Sequence, residues 1–248
     1  MQDLLEFALS VARQGGQEAL SHFRGVGLQV DRKQDHSPVT IADRQAEARM
    51  RELIASRHPA DAIVGEEHPD TPGTSGRTWY LDPIDGTKSF VHGVPLFTTL
   101  VACDDRDGPA VGVINAPALD EATWAGRGLG CFHQGAATRV SDTADLASAY
   151  VMTSGLEWWP TALRPKVLDP PFVLRTWGDG YGYMLVATGR VEAMVDPQAE
   201  VWDLAPLPVI MAEAGGRLTG LDGSAGIMTG SAVATNGHVH QALLEHLA

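Results

Sequence analysis

Residues 79–87 read WYLDPIDGT, an apolar run that ends in aspartate, proline and glycine. Pro83 fixes its own φ and biases Asp82 towards extended geometry, so the run predicts a buried strand that ends in a sharp bend. At such a bend Asp82 and Asp85, three residues apart, can both face inward. The segment that begins at Thr87 offers backbone N–H groups to a phosphate. The run therefore predicts a metal site beside an anion site.

Two further segments place carboxylates after apolar stretches, GEE at 65–67 and VWD at 201–203. Taken alone, each is typical of a turn or a helix cap. Together with Asp82 and Asp85 they favour a shared site. Carboxylates at the ends of buried strands are costly and raise one another's pKa unless a cation offsets their charge. A hard divalent cation, with the Ile84 carbonyl as a neutral ligand, would meet that requirement.

The composition is that of a globular protein, with 44% apolar and 20% charged residues among 248. The formal charge of −13 disfavours a nucleic-acid backbone or an anionic membrane as a partner. The first 16 residues do not resemble a signal peptide. Cys103 and Cys131 lie too far apart in sequence to form a chelating pair, and we expect a cytoplasmic protein.

Apolar spacing predicts a helix over 3–23 and a second helix that follows Thr40 and ends at 58–61. The pattern then changes to short β-prone runs separated by turn residues, which predicts an antiparallel sheet. These runs are 62–65, 78–81, 97–103, 110–115, 122–125 and 130–132.

The second half of the chain mixes both patterns. The predicted elements are a strand at 149–153, a loop at 160–171, a helix at 181–188, a strand at 191–195, a helix within 204–213 and a helix at 238–247. The fold class is therefore α+β. We expect an N-terminal lobe over 1–145 that carries most of the metal ligands, and a C-terminal lobe over 146–248 that carries Asp203 and the substrate pocket, packed as one compact unit.

These motifs resemble those of the inositol monophosphatase superfamily of metal-dependent, lithium-sensitive phosphatases. The resemblance rests on Asp43, GEE at 65–67, DPIDGT at 82–87, WD at 202–203 and EAGG at 213–216, which span nearly the whole chain. It implies a layered α/β/α/β/α sandwich, dependence on Mg²⁺ and a homodimer.

The resemblance also implies a ligand set for two or three Mg²⁺ ions. Glu66, Asp82 and the Ile84 carbonyl correspond to ligands of the first ion. Asp82, Asp85 and Asp203 correspond to ligands of the second. Two-metal sites of this kind activate a water molecule for direct attack and stabilise the leaving oxygen.

The remaining family roles fall on residues beside these ligands. Asp43 and Thr87 correspond to the pair that orients the attacking water, so Asp43, Glu66 and Thr87 are candidate catalytic residues. The backbone N–H groups of Gly86 and Thr87 correspond to the phosphate-binding site. Glu67 corresponds to a residue that holds the metal ligands in position without binding the metal itself.

Three segments resemble the histidinol-phosphate phosphatase branch of the superfamily: TKSF at 87–90, RTWGD at 175–179 and YGY at 181–183. That substrate carries an amine and an imidazole, so an anionic pocket would favour it. Asp179 and Asp196 are the candidates for such a pocket. The function predicted here is hydrolysis of the small metabolite L-histidinol phosphate to L-histidinol and phosphate.

Other functions stay open at this point. The nearest alternatives are an inositol-1-monophosphatase and a broad-specificity small-molecule phosphatase. Lys88 also occurs in nucleotide bisphosphatases of the superfamily, but no basic cluster that would meet a second phosphate accompanies it. An alternative from another class is a regulatory protein that binds a basic partner.

Two local features of the sequence carry expectations of their own. Pro206 and Pro208 follow Asp203, and Pro208 predicts a distorted first helical turn because it removes a backbone donor. Trp158 and Trp159 precede Pro160 in a predicted loop, where core packing is the default interpretation and a lid is the alternative.

Overall fold

The computed structural model describes residues 1–25, 29–32 and 38–248 of the chain. Its first long helix is α1 (Gln2–His22), which buries a stripe of small and apolar side chains. This helix confirms the element predicted over 3–23.

The second helix, α2 (Ile41–Arg57), begins at a capped turn. Asp43 Oδ2 accepts hydrogen bonds from Thr40 N (2.8 Å) and Thr40 Oγ1 (2.7 Å), and Thr40 Oγ1 accepts one from Ala42 N (3.1 Å). Such reciprocal capping satisfies donors that the first turn leaves without helical partners. Before α2, the strands β1 (Val30–Arg32) and β2 (Pro38–Thr40) pair antiparallel.

The first sheet has the strand order β3-β4-β5-β6-β7-β8-β9. Its strands are β3 (Ala62–Gly65), β4 (Thr78–Asp85), β5 (Thr98–Asp105), β6 (Gly108–Ala116), β7 (Glu121–Gly126), β8 (Gly130–His133) and β9 (Ala136–Ala137). The neighbours pair antiparallel except for β3 and β4, which are parallel. The prediction of an antiparallel sheet is therefore wrong at this pair, because residues 66–77 form a crossover connection that returns the chain to the same end of the sheet.

The second sheet has the strand order β11-β10-β12-β14-β13. Its strands are β10 (Tyr150–Met152), β11 (Val173–Arg175), β12 (Ala193–Asp196), β13 (Arg217–Thr219) and β14 (Ala232–Thr235). The strand β10 is parallel to β11 and β12, whereas β14 is antiparallel to β12 and β13. Strands β10 and β12 match predicted runs, and β11, β13 and β14 were not expected.

The remaining helices are short. They are α3 (Thr87–Val91), α4 (Arg164–Leu168), α5 (Asp179–Ala187), α6 (Val201–Leu204), α7 (Leu207–Glu213) and α8 (His240–Leu247). One-turn 3-10 helices lie at Pro117–Leu119, Leu146–Ser148 and Leu156–Trp158. Helix α4 corrects the expectation of a continuous loop over 160–171, because Pro165 occupies its first turn, where a missing N–H is tolerated.

Helices and sheets alternate in layers. Helices α1 and α2 pack on the outer face of the first sheet, α5 and α7 pack between the sheets, and α4 and α8 cover the outer face of the second sheet. This order confirms the α/β/α/β/α sandwich. The predicted lobes, 1–145 and 146–248, would divide within the connection between β9 and β10. No helix in the described ranges combines the length and apolar character that a bilayer span requires.

A break separates α6 from α7 at Ala205 and Pro206. Helix α7 begins after Pro206, and Pro208 lies in its first turn. The expected distortion is therefore present, and the chain forms two short helices in place of a regular one through Pro208. Asp203 lies on α6, ahead of the break.

The Pro206 backbone at this break packs closely against Gly112 on β6. A Cβ atom at Gly112 would lie 2.4 Å from the Pro206 carbonyl oxygen and 3.0 Å from the Pro206 Cα atom. Because backbone atoms cannot rotate away, we expect Gly112→Ala to lower the free energy of unfolding by about 1–3 kcal/mol. Urea denaturation followed by circular dichroism measures this effect. An unchanged midpoint would contradict the proposed packing.

Candidate active site

A cavity of about 200 Å³ opens where the two sheets meet the N-termini of three helices. The ends of β4 and β12 reach it, as do the first residues of α3, α5 and α6. Its lining consists of Glu66, Asp82, Ile84, Asp85, Gly86, Thr87, Ser154, Trp158, Asp179, Tyr183, Asp196, Gln198, Glu200, Trp202 and Asp203. The cavity thus brings together most of the predicted site residues from both halves of the chain.

Three carboxylates form the centre of this cavity. Asp82, Asp85 and Asp203 each offer one oxygen, and these oxygens lie within 4.8 Å of one another. The parallel pairing of β3 and β4 brings Glu66, which follows β3, to the same end of the sheet as Asp82. Oxygen ligands grouped in this way suit a hard cation such as Mg²⁺.

Electrostatics give the reason for a cation here. Burial, and then repulsion from Glu66, Asp85 and Asp203, raises the pKa of Asp82 well above its ordinary value. Burial and repulsion from Asp179 and Asp203 raise the pKa of Asp85 in the same way. Burial is also the main cause that raises the pKa of Asp203 to about 6. A divalent cation would offset both the burial and the repulsion of these charges.

Local hydrogen bonds orient the three carboxylates. Asp85 Oδ2 accepts hydrogen bonds from Thr98 Oγ1 (2.9 Å) and from the Gly180 backbone N–H. Asp203 Oδ2 accepts one from Glu200 N (2.8 Å), which caps α6. Asp82 Oδ1 accepts one from the backbone N–H of Ile84 (3.0 Å), which closes the bend around Pro83. Asp82 and Asp203 are therefore held by their own backbone turns, whereas Asp85 is held by groups on β5 and α5.

The phosphate-binding prediction falls on a turn that requires glycine. Gly86 adopts φ +85° and precedes α3, and a Cβ atom there would lie 3.0 Å from Asp179 Oδ2. Thr87 Oγ1 donates a hydrogen bond to the Ile84 carbonyl oxygen (3.0 Å). The first N–H groups of α3 adjoin the acidic group, as the predicted anion site requires.

Glu47 on α2 holds the segment that carries Glu66. Its carboxylate accepts hydrogen bonds from Glu67 N (2.7 Å) and His68 N (3.2 Å), and its Oε1 lies 2.7 Å from Arg51 Nε. The Glu47 side chain is fully buried. The only sign of this pair in the sequence is the i,i+4 spacing of Glu47 and Arg51, which is usually a surface feature.

We expect Glu47→Gln to loosen this segment, because the amide offers one acceptor oxygen where the carboxylate offers two. Breaking a buried ion pair lowers the free energy of unfolding by about 3 kcal/mol. Binding of a divalent cation at the acidic group should weaken by about tenfold. Denaturant titration and calorimetric titration with Mg²⁺ measure the two effects.

The matched control is Glu52→Gln on the same helix, where the carboxylate lies 2.7 Å from Arg49 in an exposed pair. Exposed pairs contribute little to stability, so this variant should retain wild-type values. An equal Mg²⁺ affinity in Glu47→Gln and Glu52→Gln would contradict a positioning role for Glu47.

Two predicted residues, Asp43 and Glu67, lie outside the lining of the cavity. Asp43 is fully buried in the capped first turn of α2, where its Oδ2 binds Thr40. Glu67 follows Glu66, and its backbone N–H binds Glu47. Orientation of water by Asp43 and support of the metal ligands by Glu67 stay predictions.

The two candidate substrate acids differ in their surroundings. Asp196 Oδ1 accepts hydrogen bonds from Ser154 Oγ (2.6 Å) and N (3.3 Å), and its Oδ2 accepts one from Tyr183 OH (2.8 Å). Both of its oxygens thus bind protein groups, and a direct substrate contact stays a prediction. Asp179 begins α5 with φ +54°, and its N–H donates to Ser154 Oγ (2.9 Å). Burial, followed by repulsion from Asp196, raises the pKa of Asp179 to about 7.

Sequence reasoning missed several lining residues, among them Ser154, Gln198 and Glu200. For Trp158 and Trp159 the default interpretation is core packing, with a lid as the alternative. The structure confirms core packing for Trp159, which is 3% exposed, and corrects it for Trp158, which is 39% exposed and lines the cavity. Trp159 Nε1 donates a hydrogen bond to the buried Thr153 Oγ1 (2.9 Å), which holds this ring in the interior.

Comparison with known proteins places the chain in a class. The model of the inositol monophosphatase family matches residues 1–248, so the chain belongs to that family, a class of phosphoric monoester hydrolases. Among curated relatives, the histidinol-phosphatase of Mycobacterium tuberculosis is 42% identical, with 99% of this chain and 98% of that protein aligned. The histidinol-phosphatase of Streptomyces coelicolor is 37% identical over 99% and 97% of the two chains.

A solved structure confirms the fold. The extragenic suppressor protein suhB of Bartonella henselae superimposes with a TM-score of 0.91 at 26% identity, with 99% of this chain and 98% of that chain covered. The match extends over both sheets, so the α+β layering described above is that of a known structure.

Proposed function

We propose that the protein is an Mg²⁺-dependent phosphomonoesterase that hydrolyses L-histidinol phosphate to L-histidinol and phosphate. The observation that carries this proposal is the convergence of Asp82, Asp85 and Asp203 within 4.8 Å, beside the start of α3. The names of the similar Mycobacterium and Streptomyces proteins support the choice of substrate.

The residues present fit the proposed ions. Glu66, Asp82 and the Ile84 carbonyl would hold one Mg²⁺, and Asp82, Asp85 and Asp203 would hold a second. When bound, the ions would neutralise these carboxylates, lower the pKa of the attacking water and stabilise the leaving oxygen. A third, weaker ion is part of the proposal.

The chain itself would bind and orient the ester. The N–H groups of Gly86 and Thr87 would hold the phosphate, and Asp43 and Thr87 would orient the water. The water oxygen forms a bond to phosphorus as the bond to the alcohol oxygen breaks, and the water proton is transferred to the products. We propose that no covalent phosphoenzyme forms.

The charge of the cavity supports a cationic alcohol as the leaving group. Among the described residues, the lining contains no lysine or arginine but seven carboxylates, at Glu66, Asp82, Asp85, Asp179, Asp196, Glu200 and Asp203. Two Mg²⁺ ions and one phosphate dianion leave this set with a net negative charge. A protonated amine or imidazole is attracted by that charge, whereas neutral inositol gains nothing from it.

Phosphate release from three esters tests the proposal. The esters are L-histidinol phosphate, inositol 1-phosphate and 3′-phosphoadenosine 5′-phosphate, each with Mg²⁺ and with added Li⁺. We expect Mg²⁺-dependent, lithium-sensitive release with the highest kcat/KM for L-histidinol phosphate. A clear preference for inositol 1-phosphate would overturn the substrate and favour the inositol-1-monophosphatase alternative. Equal rates would favour a broad-specificity enzyme.

The family resemblance supports two further parts of the proposal, a homodimer and a cytoplasmic location. Sedimentation velocity would measure the oligomeric state. The regulatory alternative is less well supported, because a pure protein-binding module would not require the acidic group at Asp82, Asp85 and Asp203.

A further inference from the structure

The rim of the cavity is formed by a segment that is fixed on both sides. Trp159 is buried, and its Nε1 donates a hydrogen bond to Thr153 Oγ1. Arg164 donates hydrogen bonds to the carbonyl oxygens of Glu157 (3.2 Å) and Trp159 (3.0 Å). The 3-10 turn Leu156–Trp158 is therefore held in place, with the Glu157 and Trp158 side chains on its exposed side.

These two side chains already hold an ammonium group. Lys88 Nζ lies 2.9 Å from Glu157 Oε1 and 4.3 Å from the centroid of the Trp158 ring. A carboxylate beside an aromatic face is an arrangement that binds organic cations. The hydrogen bond from Lys88 also keeps the pKa of Glu157 below its ordinary value, so this carboxylate is charged at neutral pH.

The same residues line a second cavity, of about 200 Å³, that adjoins the first. Gly86, Thr87, Ser154 and Asp179 line both cavities, so the second begins where the phosphate would bind. Its volume is several times the ~30 Å³ that a water molecule occupies in the liquid. There is room for an organic group attached to that phosphate.

We propose that Glu157 and Trp158 form the subsite for the positively charged part of the alcohol leaving group, and that Lys88 occupies this subsite in the substrate-free protein. The inference rests on the proposed function, because it assumes a phosphate ester of a cationic alcohol. The substrate cation replaces the Lys88 ammonium against the carboxylate and the ring.

The exchange is easy because the ion pair that it breaks is weak. The Lys88 and Glu157 side chains are 52% and 61% exposed, and exposed pairs contribute little to stability. A neutral polyol offers no charge with which to replace Lys88. The subsite therefore selects cationic alcohols by charge, at a distance from the reacting bond.

Glu157→Gln and Trp158→Leu test the subsite in steady-state kinetics with L-histidinol phosphate and inositol 1-phosphate. Loss of one charge-assisted contact should lower kcat/KM for L-histidinol phosphate by about tenfold. The change should lie in KM, and in Glu157→Gln, whose side chain lies outside the first cavity, kcat/KM for inositol 1-phosphate should stay within about twofold. The matched control is Glu121→Gln, whose carboxylate lies 3.0 Å from Arg190 outside both cavities. Equal losses on both esters, or none on either, would overturn the inference.

Calorimetric titration of the Mg²⁺-loaded protein with L-histidinol keeps the test independent of the reaction. Glu157→Gln should weaken binding by about tenfold, and Lys88→Met should tighten it by about threefold by removing the competing ammonium. If the wild type prefers another ester but Glu157→Gln still weakens histidinol binding, the proposed function fails and the subsite stands. If the wild type prefers L-histidinol phosphate and Glu157→Gln binds histidinol as well as the wild type, the subsite fails and the function stands. Weaker binding by Lys88→Met would overturn the competing role of Lys88.

Discussion

Asp82→Asn is expected to lower kcat/KM for phosphate release by about a thousandfold, the scale on which preorganised electrostatic groups act. Asp82 is the residue that we assign to both Mg²⁺ ions, and its side chain lies against Glu66, Asp85 and Asp203. The amide has nearly the same shape and carries no charge, so the fold should be retained. Phosphate release at saturating Mg²⁺ measures the loss, and circular dichroism verifies the fold.

Asp104→Asn is the matched control for this variant. Asp104 is a half-buried acid on β5, and burial raises its pKa to about 6. It lies outside the lining of the cavity, so its neutral variant should keep wild-type activity. Substantial activity in Asp82→Asn at saturating Mg²⁺ would exclude the shared-ligand role.

Mg²⁺ is expected to raise the melting temperature, and the rise should grow with pH. The pKa values of Asp82, Asp85 and Asp203 are raised in the fold. Groups of this kind stabilise the metal-free fold below their unfolded pKa of about 4, and that stabilisation is lost as the pH rises through the folded values. Mg²⁺ binds the ionised carboxylates, so its effect should be small near pH 4 and full near pH 8.

The size of the effect follows from linkage. Free Mg²⁺ at about 100 times its Kd stabilises the fold by about 2.7 kcal/mol. For a chain of this length this corresponds to roughly 5–10 °C. The melting temperature is measured by differential scanning fluorimetry in Mg²⁺ and in EDTA at each pH. The difference between the two isolates the stabilisation by Mg²⁺, because the other titrating groups are the same in both conditions.

Asp82→Asn provides the control for this measurement as well. Without metal near pH 8 it should melt above the wild type, because one buried charge is removed. It should also lose most of the Mg²⁺ effect. A wild-type melting temperature that does not respond to Mg²⁺ near pH 8 would contradict the proposed ion site.

The outer parts of the fold could be predicted because local patterns decide them. Helix α1 has a regular apolar stripe, α2 begins at a recognisable cap at Thr40, and the strands of the first sheet are separated by turn residues. The second sheet was harder. Strand β14 (Ala232–Thr235) is buried on both faces, so it shows no alternation, and β11 and β13 are three residues long. Tertiary pairing, which one sequence does not display, decides these strands.

The candidate site could also be predicted only in part. The motif around Asp82 and Asp85 and the acid at Asp203 were predictable, because each turn has its own residue chemistry. Glu157 and Trp158 were not, because their position depends on the hydrogen bonds of Arg164 and Trp159 in an irregular segment. The parallel pairing of β3 and β4 was also missed, although it brings Glu66 beside Asp82.

Anomalous diffraction from crystals soaked with Mn²⁺, which prefers the same oxygen ligands as Mg²⁺, tests the central claim most directly. The account predicts two or three anomalous peaks in the cavity, with one peak bounded by the carboxylates of Asp82, Asp85 and Asp203. A map without a peak between these carboxylates, at Mn²⁺ concentrations that support phosphate release, would contradict it.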